Sequence, residues 1–372
     1  MRVLLTTVIR FVPPEAKSGR LIFVELGEEG RSALLAEAHL PETPYRNRDT
    51  NPRGGTRGVR ACVRLPDGGI AAATYAEIHL LDAEFQSQGI ISHPMVAAIH
   101  DLTADGEGLW VTSTNADAIV HLDWSGRITK YWRPMDDPFL RERLGLPDAP
   151  PWGAVDDYRD YCAIARIPHD LAHLNALQFR NGASFVSLGQ VLVPRRPAGC
   201  ISLGSFRADS WTPPEGEWST SHVIVRHDPP IGMPGASPKI LWDFSSGEAP
   251  NHNIELVSGR IWFNDSNRGR VIGFDPDGRL APVEIPVPSG FPRGMAAVGP
   301  DAVLVGTQAP LAVHRIDLTK GRVGQTWPID AEGCDESLAS IHVLERESTA
   351  DTRPGDTRAP ETFTAPSMVR DT

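Results

Sequence analysis

The hydrophobic and polar positions of residues 251–278 predict three short strands joined by tight turns. A polar start leads into an apolar run that ends at Val257, and a Ser-Gly turn follows. The apolar and aromatic run Ile261–Phe263 predicts the second strand, and a polar turn leads to a third run that ends at Asp275. This three-strand unit is the pattern from which most of the chain is built.

An apolar strand that ends in aspartate recurs along the chain at intervals typical of a repeat protein. The aspartates that close these strands are Asp82, Asp123, Asp228, Asp275 and Asp317. They are 41, 105, 47 and 42 residues apart. A period of about 40–45 residues is typical of a four-stranded propeller blade, so the long interval indicates one blade with insertions.

The repeat predicts an all-β fold, a single β-propeller of six four-stranded antiparallel blades within residues 1–347. Strands from both ends of the chain close the ring in this prediction, which removes the exposed edges of an open sheet. Seven blades remain the alternative if the strand at residues 3–12 belongs elsewhere. The predicted blades lie at about 57–92, 95–134, 171–244, 250–287 and 290–329, with the sixth formed by 334–347 plus 20–43.

Three segments do not follow the repeat. Residues 135–168 contain the most helix-like sequence, and residues 190–220 are rich in Pro, Gly and Ser and interrupt the third blade. Loops that join one blade to the next and loops between second and third strands emerge on the face where the inner strands begin. The two insertions belong to these loops, so we expect them to cap that top face. Residues 348–372 contain little that can be buried, and we expect a disordered tail.

Composition narrows the partners and the cellular setting. The net charge is −11, which gives no basic surface and argues against nucleic acid as a partner. No apolar run approaches the roughly 20 residues that span a bilayer, so we expect no membrane association. The four cysteines are scattered without CxxC spacing, which favours a reduced, cytoplasmic protein.

Histidines lie at the predicted starts of successive inner strands. Ten residues before the second-strand aromatics stand His100, Asn175 and His252, and His173 lies two residues before Asn175. In a propeller these positions converge on the channel although they are far apart in sequence. Neutral imidazoles are common metal ligands, so His100, His173 and His252 predict a divalent transition metal, Fe, Zn, Cu or Mn.

Other polar residues near these positions predict catalytic and binding roles. Glu255, Asp101 and Asn175 are candidate bases or supporting residues for catalysis. Arg293, with Arg57 or Arg60 as its counterpart in the first blade, could bind the carboxylate or phosphate of a small anionic substrate. The polar rim of the site is predicted to include Asn115, Asn267 and Arg268.

Structural explanations compete with each of these assignments. A single strand histidine is more often hydrogen-bonded within the fold than a ligand, and the arginines could instead plug the channel through salt bridges. A position in a loop is the simpler reading of His169. Four further histidines fall in predicted third strands, remote from the channel, and are interpreted as structural: His79, His121, His227 and His314.

Several motifs resemble an uncharacterised family of bacterial six-bladed propellers over about residues 95–310. They are the His-Leu-Asn sequence at 173–175, the Phe-Pro-Arg-Gly sequence at 291–294, and Gly-Arg-Ile-Trp at 259–262 with a histidine before it. Residues 253–266 are more distantly similar to gluconolactonase/regucalcin, strictosidine synthase and streptogramin lyase propellers. Lactonases of that kind hold an axial divalent metal with Glu, Asn and Asp. The resemblance implies the propeller and the site positions, with His252 in place of a ligand Asn.

The sequence therefore predicts a metal-dependent enzyme that acts on a small anionic molecule. Hydrolysis or elimination would use metal-activated water, and an iron-dependent oxygenase is the main variant. A non-catalytic ligand-binding or scaffold propeller, in which the histidines and arginines recognise an anion, is the alternative. A polar channel that satisfies only its own hydrogen bonds is the third interpretation.

Overall fold

Six four-stranded antiparallel sheets, arranged as the blades of a propeller, make up the computed structural model of the chain. The six-bladed prediction is confirmed, and the seven-bladed alternative is wrong because the N-terminal strand belongs to the sixth blade. Arg57, most of the insertion predicted at 190–220 and the tail predicted at 348–372 lie outside the described residues. The structure describes residues 1–9, 12, 17–41, 58–164, 167–194, 218–244, 251–288, 290–332 and 335–345.

The strands follow one another in chain order, beginning with three that belong to the sixth blade. These are β1 (Arg2–Ile9), β2 (Leu21–Leu26) and β3 (Ser32–Ala38). The first blade contains β4 (Ala61–Arg64), β5 (Ile70–Ala73), β6 (Ile78–Leu81) and β7 (Ser87–Ile91). The second contains β8 (Ile99–Ala104), β9 (Gly108–Ser113), β10 (Ala118–Asp123) and β11 (Ile128–Trp132).

The remaining strands complete the other blades. The third blade contains β12 (Leu174–Arg180), β13 (Ala183–Pro194), β14 (Trp218–His227) and β15 (Pro238–Phe244). The fourth contains β16 (Asn251–Val257), β17 (Arg260–Asp265), β18 (Arg270–Phe274) and β19 (Val283–Pro286). The fifth contains β20 (Met295–Ala297), β21 (Ala302–Thr307), β22 (Ala312–Asp317) and β23 (Arg322–Pro328), and β24 (Glu336–Glu345) completes the sixth.

Burial on both faces explains the apolar runs of the second strands. In β17, Ile261 and Phe263 pack with the third blade, whereas Trp262 between them packs with the fifth. Successive side chains of a strand point to opposite faces of its sheet, so a strand between two neighbouring blades must be apolar throughout. The outer strand β11 instead alternates between half-buried and exposed positions.

The hydrophobic core is divided among the interfaces between blades. Six buried clusters of described residues each join two neighbouring sheets around the ring. Leu4 and Leu5 show how the last interface forms, since Leu5 packs with the fifth blade and Leu4 with the first. Burial of apolar surface between sheets therefore holds each blade against both of its neighbours.

The sixth blade is assembled from both ends of the chain. Its strand order is β24-β1-β2-β3, and β1 pairs with β24 from Arg2 opposite Glu345 to Ile9 opposite Glu336. The Arg20 side chain, next to β2, donates from Nε to Glu336 Oε1 at 3.0 Å. Arg20 and Glu336 side chains are 7% and 0% exposed, so this ion pair is buried where the ring closes.

The insertion between the second and third blades forms two short helices, α1 (Pro138–Leu144) and α2 (Tyr161–Ile164). The Asp137 side chain accepts a hydrogen bond from Leu140 N at the start of α1, and Gly145 ends it in a left-handed conformation. Tyr158 N donates to Pro94 O at 2.8 Å, and Tyr158 O accepts from Asn115. These contacts place the insertion over loops of the first two blades.

Two further observations concern the chain as a whole. None of the helices formed by the described residues is long and apolar enough to cross a membrane. Cys62 and Cys162 are both free thiols, the first buried and the second exposed.

Candidate functional site

The inner strands surround a central channel, and each contacts the next around the ring. They are β4, β8, β12, β16, β20 and β24. Every blade runs from its inner to its outer strand, so the inner strands begin at one common end of the channel. We call this end the channel mouth and define it by five residues at or just before these starts: Arg60, His100, His173, His252 and Arg293.

His100 and His173 are neighbours at the channel mouth. Their ring centroids are 4.9 Å apart in an edge-on arrangement. Nδ1 of His100 lies 2.8 Å from Ala98 O, and Nδ1 of His173 lies 2.8 Å from Asp170 Oδ1. A carbonyl and a carboxylate can only accept, so Nδ1 carries the proton in both rings. In the neutral imidazole the lone pair then lies on Nε2.

His252 has the same orientation on the fourth blade. Its Nδ1 lies 2.7 Å from Ser266 Oγ, and that hydroxyl donates to Pro292 O at 2.6 Å. Because the single hydroxyl proton of Ser266 is already used, the serine must accept from His252 Nδ1. The ring is 5% exposed and packs edge-on against Phe291. All three imidazoles therefore present Nε2 as the lone-pair atom.

The backbone is irregular where these three histidines lie. The pairing of inner and second strands is interrupted in three places, between Ile99 and Leu102, between Leu174 and Ala176, and between His252 and Ile254. Positive φ angles occur beside them at Ala98 (53°), His173 (48°) and Asn253 (57°). Bulges and left-handed non-glycine residues cost free energy and cluster at functional sites, where they redirect side chains.

The ligand atoms of the three imidazoles are not close enough together to bind one metal ion. Within the described part of the chain, ligand atoms of three His, Cys, Asp or Glu residues come within 4.8 Å of one another only in a group formed by Glu37, His39 and Glu332. Metal–nitrogen bonds of about 2.1 Å require the ligands of one ion to lie within about 4.2 Å of one another. His100, His173 and His252 would share an ion only after side-chain movement, so the three-ligand site stays a prediction.

Two arginines lie close to His100. Arg60 and Arg293 are 7% and 6% exposed. Burial, together with the charges of Arg60, His173 and Arg293, lowers the pKa of His100 well below its ordinary value. His100 is therefore neutral at physiological pH, the form that accepts a hydrogen bond or binds a metal. Between the two arginines considered in the first blade, Arg60 is the one that the structure describes at the channel mouth.

Two carboxyl groups lie along the channel beyond the histidines. Burial raises the pKa of Asp101 to about 7, and burial with the charge of Asp101 raises the pKa of Glu255 to about 7. Both Asp101 oxygens accept backbone hydrogen bonds, from Leu102 N at 2.9 Å and Leu177 N at 2.8 Å. Asp101 thus ties the second blade to the third. Glu255 also has a backbone hydrogen bond, with Ala297, but it is the better candidate for proton exchange because both Asp101 oxygens are engaged.

Asn175 lies at the junction of the third and fourth blades. Its side chain donates to Asn251 O, and the Asn251 side chain in turn contacts His222. Asn175 is 2% exposed, and its Oδ1 has no hydrogen-bond partner among the described residues. A buried acceptor of this kind is rare and calls for a water or a ligand donor. Burial lowers the pKa of His222 to about 3, so this ring is neutral.

The predicted rim residues have different surroundings. Asn115 is buried and donates to the Tyr75 hydroxyl and to Tyr158 O, so it joins the first blade to the insertion. Asn267 is exposed and Arg268 half-buried in the turn between β17 and β18. His169 lies in a loop, where its Nδ1 is 2.8 Å from Ile167 O.

Sequence reasoning missed the residues that orient the histidines. Asp170 binds His173, and Thr114 Oγ1 lies 3.1 Å from His100 Nδ1 while donating to Leu174 O. Asp117 holds the same loop, since its carboxylate accepts from Leu171 N at 2.9 Å and from Ala172 N at 2.7 Å. The only signal of these residues in the sequence is their position in loops beside the predicted channel.

The fold and site together define the class: a six-bladed β-propeller with histidines and arginines at the channel mouth. No family model matches the sequence, and no curated protein matches it. A chain in a crystal structure of a nidogen/laminin complex is similar, with a TM-score of 0.54, 10% identity, and coverage of 92% of this chain and 97% of that chain.

Two structures of putative 6-phosphogluconolactonases are also similar. The one from Bacteroides fragilis has a TM-score of 0.50 and 9% identity, and the one from Bacteroides uniformis has a TM-score of 0.50 and 12% identity. Each match covers 92% of this chain and 98% of the other. The resemblance to lactonase-like propellers is therefore confirmed for the fold, and at these identities it extends no further.

Proposed function

We propose that the protein is an enzyme that binds a small anionic molecule at the channel mouth, with a divalent transition metal held by His100, His173 and His252. One observation carries the metal proposal: each of these rings donates its Nδ1 proton to a fixed oxygen, which leaves Nε2 as the ligand atom. Histidine ligands of metals are usually oriented by such an outer hydrogen bond. Imidazole ligands favour Zn, Fe or Cu, and Mn is a further candidate.

We assign substrate binding and proton transfer to the other residues of the site. Arg60 and Arg293 would bind the anionic group of the substrate through paired N–H donors. Glu255, with its pKa raised to about 7, would take up or release a proton near neutral pH. Asn175 Oδ1 would accept a hydrogen bond from the substrate. A bound metal would supply polarisation of a carbonyl or activation of a water.

The proposed reaction is hydrolysis or elimination, and an iron-dependent oxygenation is the main variant. The similarity to two putative 6-phosphogluconolactonases adds an analogy at the level of the fold alone. A cytoplasmic setting belongs to the proposal because the four cysteines are scattered without metal or disulfide spacing.

A second candidate function is anion recognition without catalysis. Two buried guanidinium groups beside a neutral imidazole could bind a carboxylate or phosphate in the absence of any metal. The protein would then be a ligand-binding or scaffold propeller, and its affinity for the anion would not depend on chelators.

Elemental analysis of protein purified without a His tag is the decisive first experiment. The variants His100→Gln and His173→Gln test the proposed ligands, and His342→Gln is a matched control on the inner strand β24. Burial and the charge of Arg64, the last residue of β4, lower the pKa of His342, which places this ring toward the opposite end of the channel. Thermal stabilisation by phosphate, citrate and a sugar phosphate, with and without chelator, tests anion binding.

We expect the first two variants to lose metal that the control retains, and we expect anions to stabilise the metal-loaded protein most. Metal in only trace amounts, with no gain after reconstitution, would refute the metal site. Anion stabilisation that is unchanged by chelator would favour the second candidate. An absence of stabilisation by every anion, in loaded and chelated protein, would refute both functions.

A further inference from the structure

A second group of potential metal ligands lies on the sixth blade, away from the channel mouth. Glu37 is in β3 and His39 follows that strand, whereas Glu332 lies between β23 and β24. The ligand atoms of these three residues all lie within 4.8 Å of one another. Glu37 and His39 are two positions apart along an extended strand, so their side chains point to the same side.

The His39 ring directs Nε2 at the carboxylate of Glu332. Nδ1 of His39 lies 3.3 Å from Gly19 O and therefore carries a proton, so in the neutral ring the lone pair is on Nε2. Nε2 lies 3.1 Å from Glu332 Oε1 and is shielded from solvent. A lone pair that faces a carboxylate oxygen is stabilised by a proton or by a metal cation between the two atoms.

Nearby charges leave room for a cation. Arg20 Nη1 lies 2.7 Å from Glu37 Oε2, but the guanidinium also pairs with the buried Glu336. The Lys17 side chain is 65% exposed and lies 3.9 Å from Glu332, so it can move into solvent. Three carboxylates thus surround one fixed cation. One imidazole nitrogen and two carboxylates are a donor set that suits Zn²⁺, Fe²⁺ or Mn²⁺, with water in the remaining positions.

We propose that Glu37, His39 and Glu332 bind a divalent transition metal that stabilises the closure of the propeller ring. Glu37 is in β3 and His39 follows it, whereas Glu332 comes shortly before β24, so one ion would join the two parts of the chain that form the sixth blade. The site is structural and independent of the metal proposed at the channel mouth, because the two groups share no residue.

Thermal unfolding of chelator-treated protein, titrated with zinc chloride or manganese chloride, tests this site. The variants are His39→Gln and Glu332→Gln, and Glu29→Gln is the control because that side chain is 80% exposed and pairs with an equally exposed Arg31. A triple variant, His100→Gln with His173→Gln and His252→Gln, removes the ligands proposed at the channel mouth. Isothermal titration of the same proteins counts the ions bound.

We expect binding at this site, with the metal at a hundredfold excess over its Kd, to contribute a rise of about 3 °C in the unfolding temperature of the parent, the control and the triple variant, in addition to any rise from the channel mouth. We expect His39→Gln and Glu332→Gln to lose this rise and one bound ion. Retention of the rise in Glu332→Gln, or its loss only in the triple variant, would overturn the proposal. The proposal would also be overturned if no metal stabilised the parent protein and acidification alone did so, since a protonated His39 paired with Glu332 would then be the whole interaction.

Discussion

The substitution Arg20→Met should weaken the closure of the ring more than any surface change on the same blade. Arg20 donates to Glu336 Oε1 at 3.0 Å and to Glu37 Oε2 at 2.7 Å, and a further nitrogen contacts Asp330 O. Burial would lower the pKa of Arg20, but the two carboxylates outweigh it and raise the pKa. The substitution leaves Glu336, which is fully buried, without its cation.

The expected loss follows from the burial of both partners. Removal of one member of a buried ion pair costs about 3–5 kcal/mol, because the remaining charge stays out of water. For a chain of 372 residues, that loss corresponds to a decrease of about 4–6 °C in the unfolding temperature. Arg31→Met is the matched control, since both partners of the Arg31–Glu29 pair are 80% exposed and its loss should cost less than about 1 kcal/mol.

Chemical and thermal unfolding in the presence of chelator would measure both variants without any contribution from bound metal. Glu336→Gln should cost less than Arg20→Met, because the amide still accepts from the guanidinium and no charge is left buried alone. Arg20→Met with a loss as small as that of Arg31→Met would refute the reasoning, and would mean that water reaches Glu336 when Arg20 is absent.

Three further predictions concern the site. Gly189→Ala should cost about 1–3 kcal/mol, because a Cβ there would lie 2.0 Å from Asn175 Nδ2, whereas Gly89→Ala, with open space around it, should be neutral in the same denaturant titration. Asp117→Ala should destabilise the protein by about 2–4 kcal/mol in urea unfolding by leaving two buried amides unpaired, while Asp67→Ala in an exposed turn should cost far less. The pKa of Glu255 is raised in the folded state, so the native protein binds more protons than the unfolded chain between pH 4.5 and about 7, and stability should fall as pH rises through that range. Glu255→Gln should flatten this slope, to which Asp101 and Asp117 also contribute, and an unchanged slope would contradict the assignment.

The architecture was predictable because the same strand pattern recurs several times along the sequence. A strand that ends in aspartate recurs, and the aspartates bind backbone amides of their own turns, as in the contacts of Asp123 with Ser125 and Arg127. The second strands can also be recognised from their continuous apolar runs, because burial between two blades requires an apolar side chain at each successive position. Local pattern therefore determines the blades and, through them, where each inner strand begins.

The geometry of the site was less accessible because it depends on how far blades stand from one another. The equivalent positions of His100 and His252 follow from the repeat, but the separation of their rings depends on the radius of the ring and on the irregular backbone beside Asn253. The pairing of Arg20 with Glu336 joins residues from opposite ends of the chain, and no local spacing relates them. Contacts of that kind follow only from the closed fold.

The strands of the sixth blade come from distant parts of the chain, and this limits when the blade can form. Ribosomal synthesis produces β1, β2 and β3 early, yet β24, the inner strand that pairs with β1, is made after every other strand that the structure describes. One edge of β1 therefore has no hydrogen-bonding partner until the other blades and β24 have been synthesised. A circular permutant that begins at β24 and runs directly into β1 would present this blade as one continuous hairpin series, and it should fold faster than the natural order because its closing contacts become local.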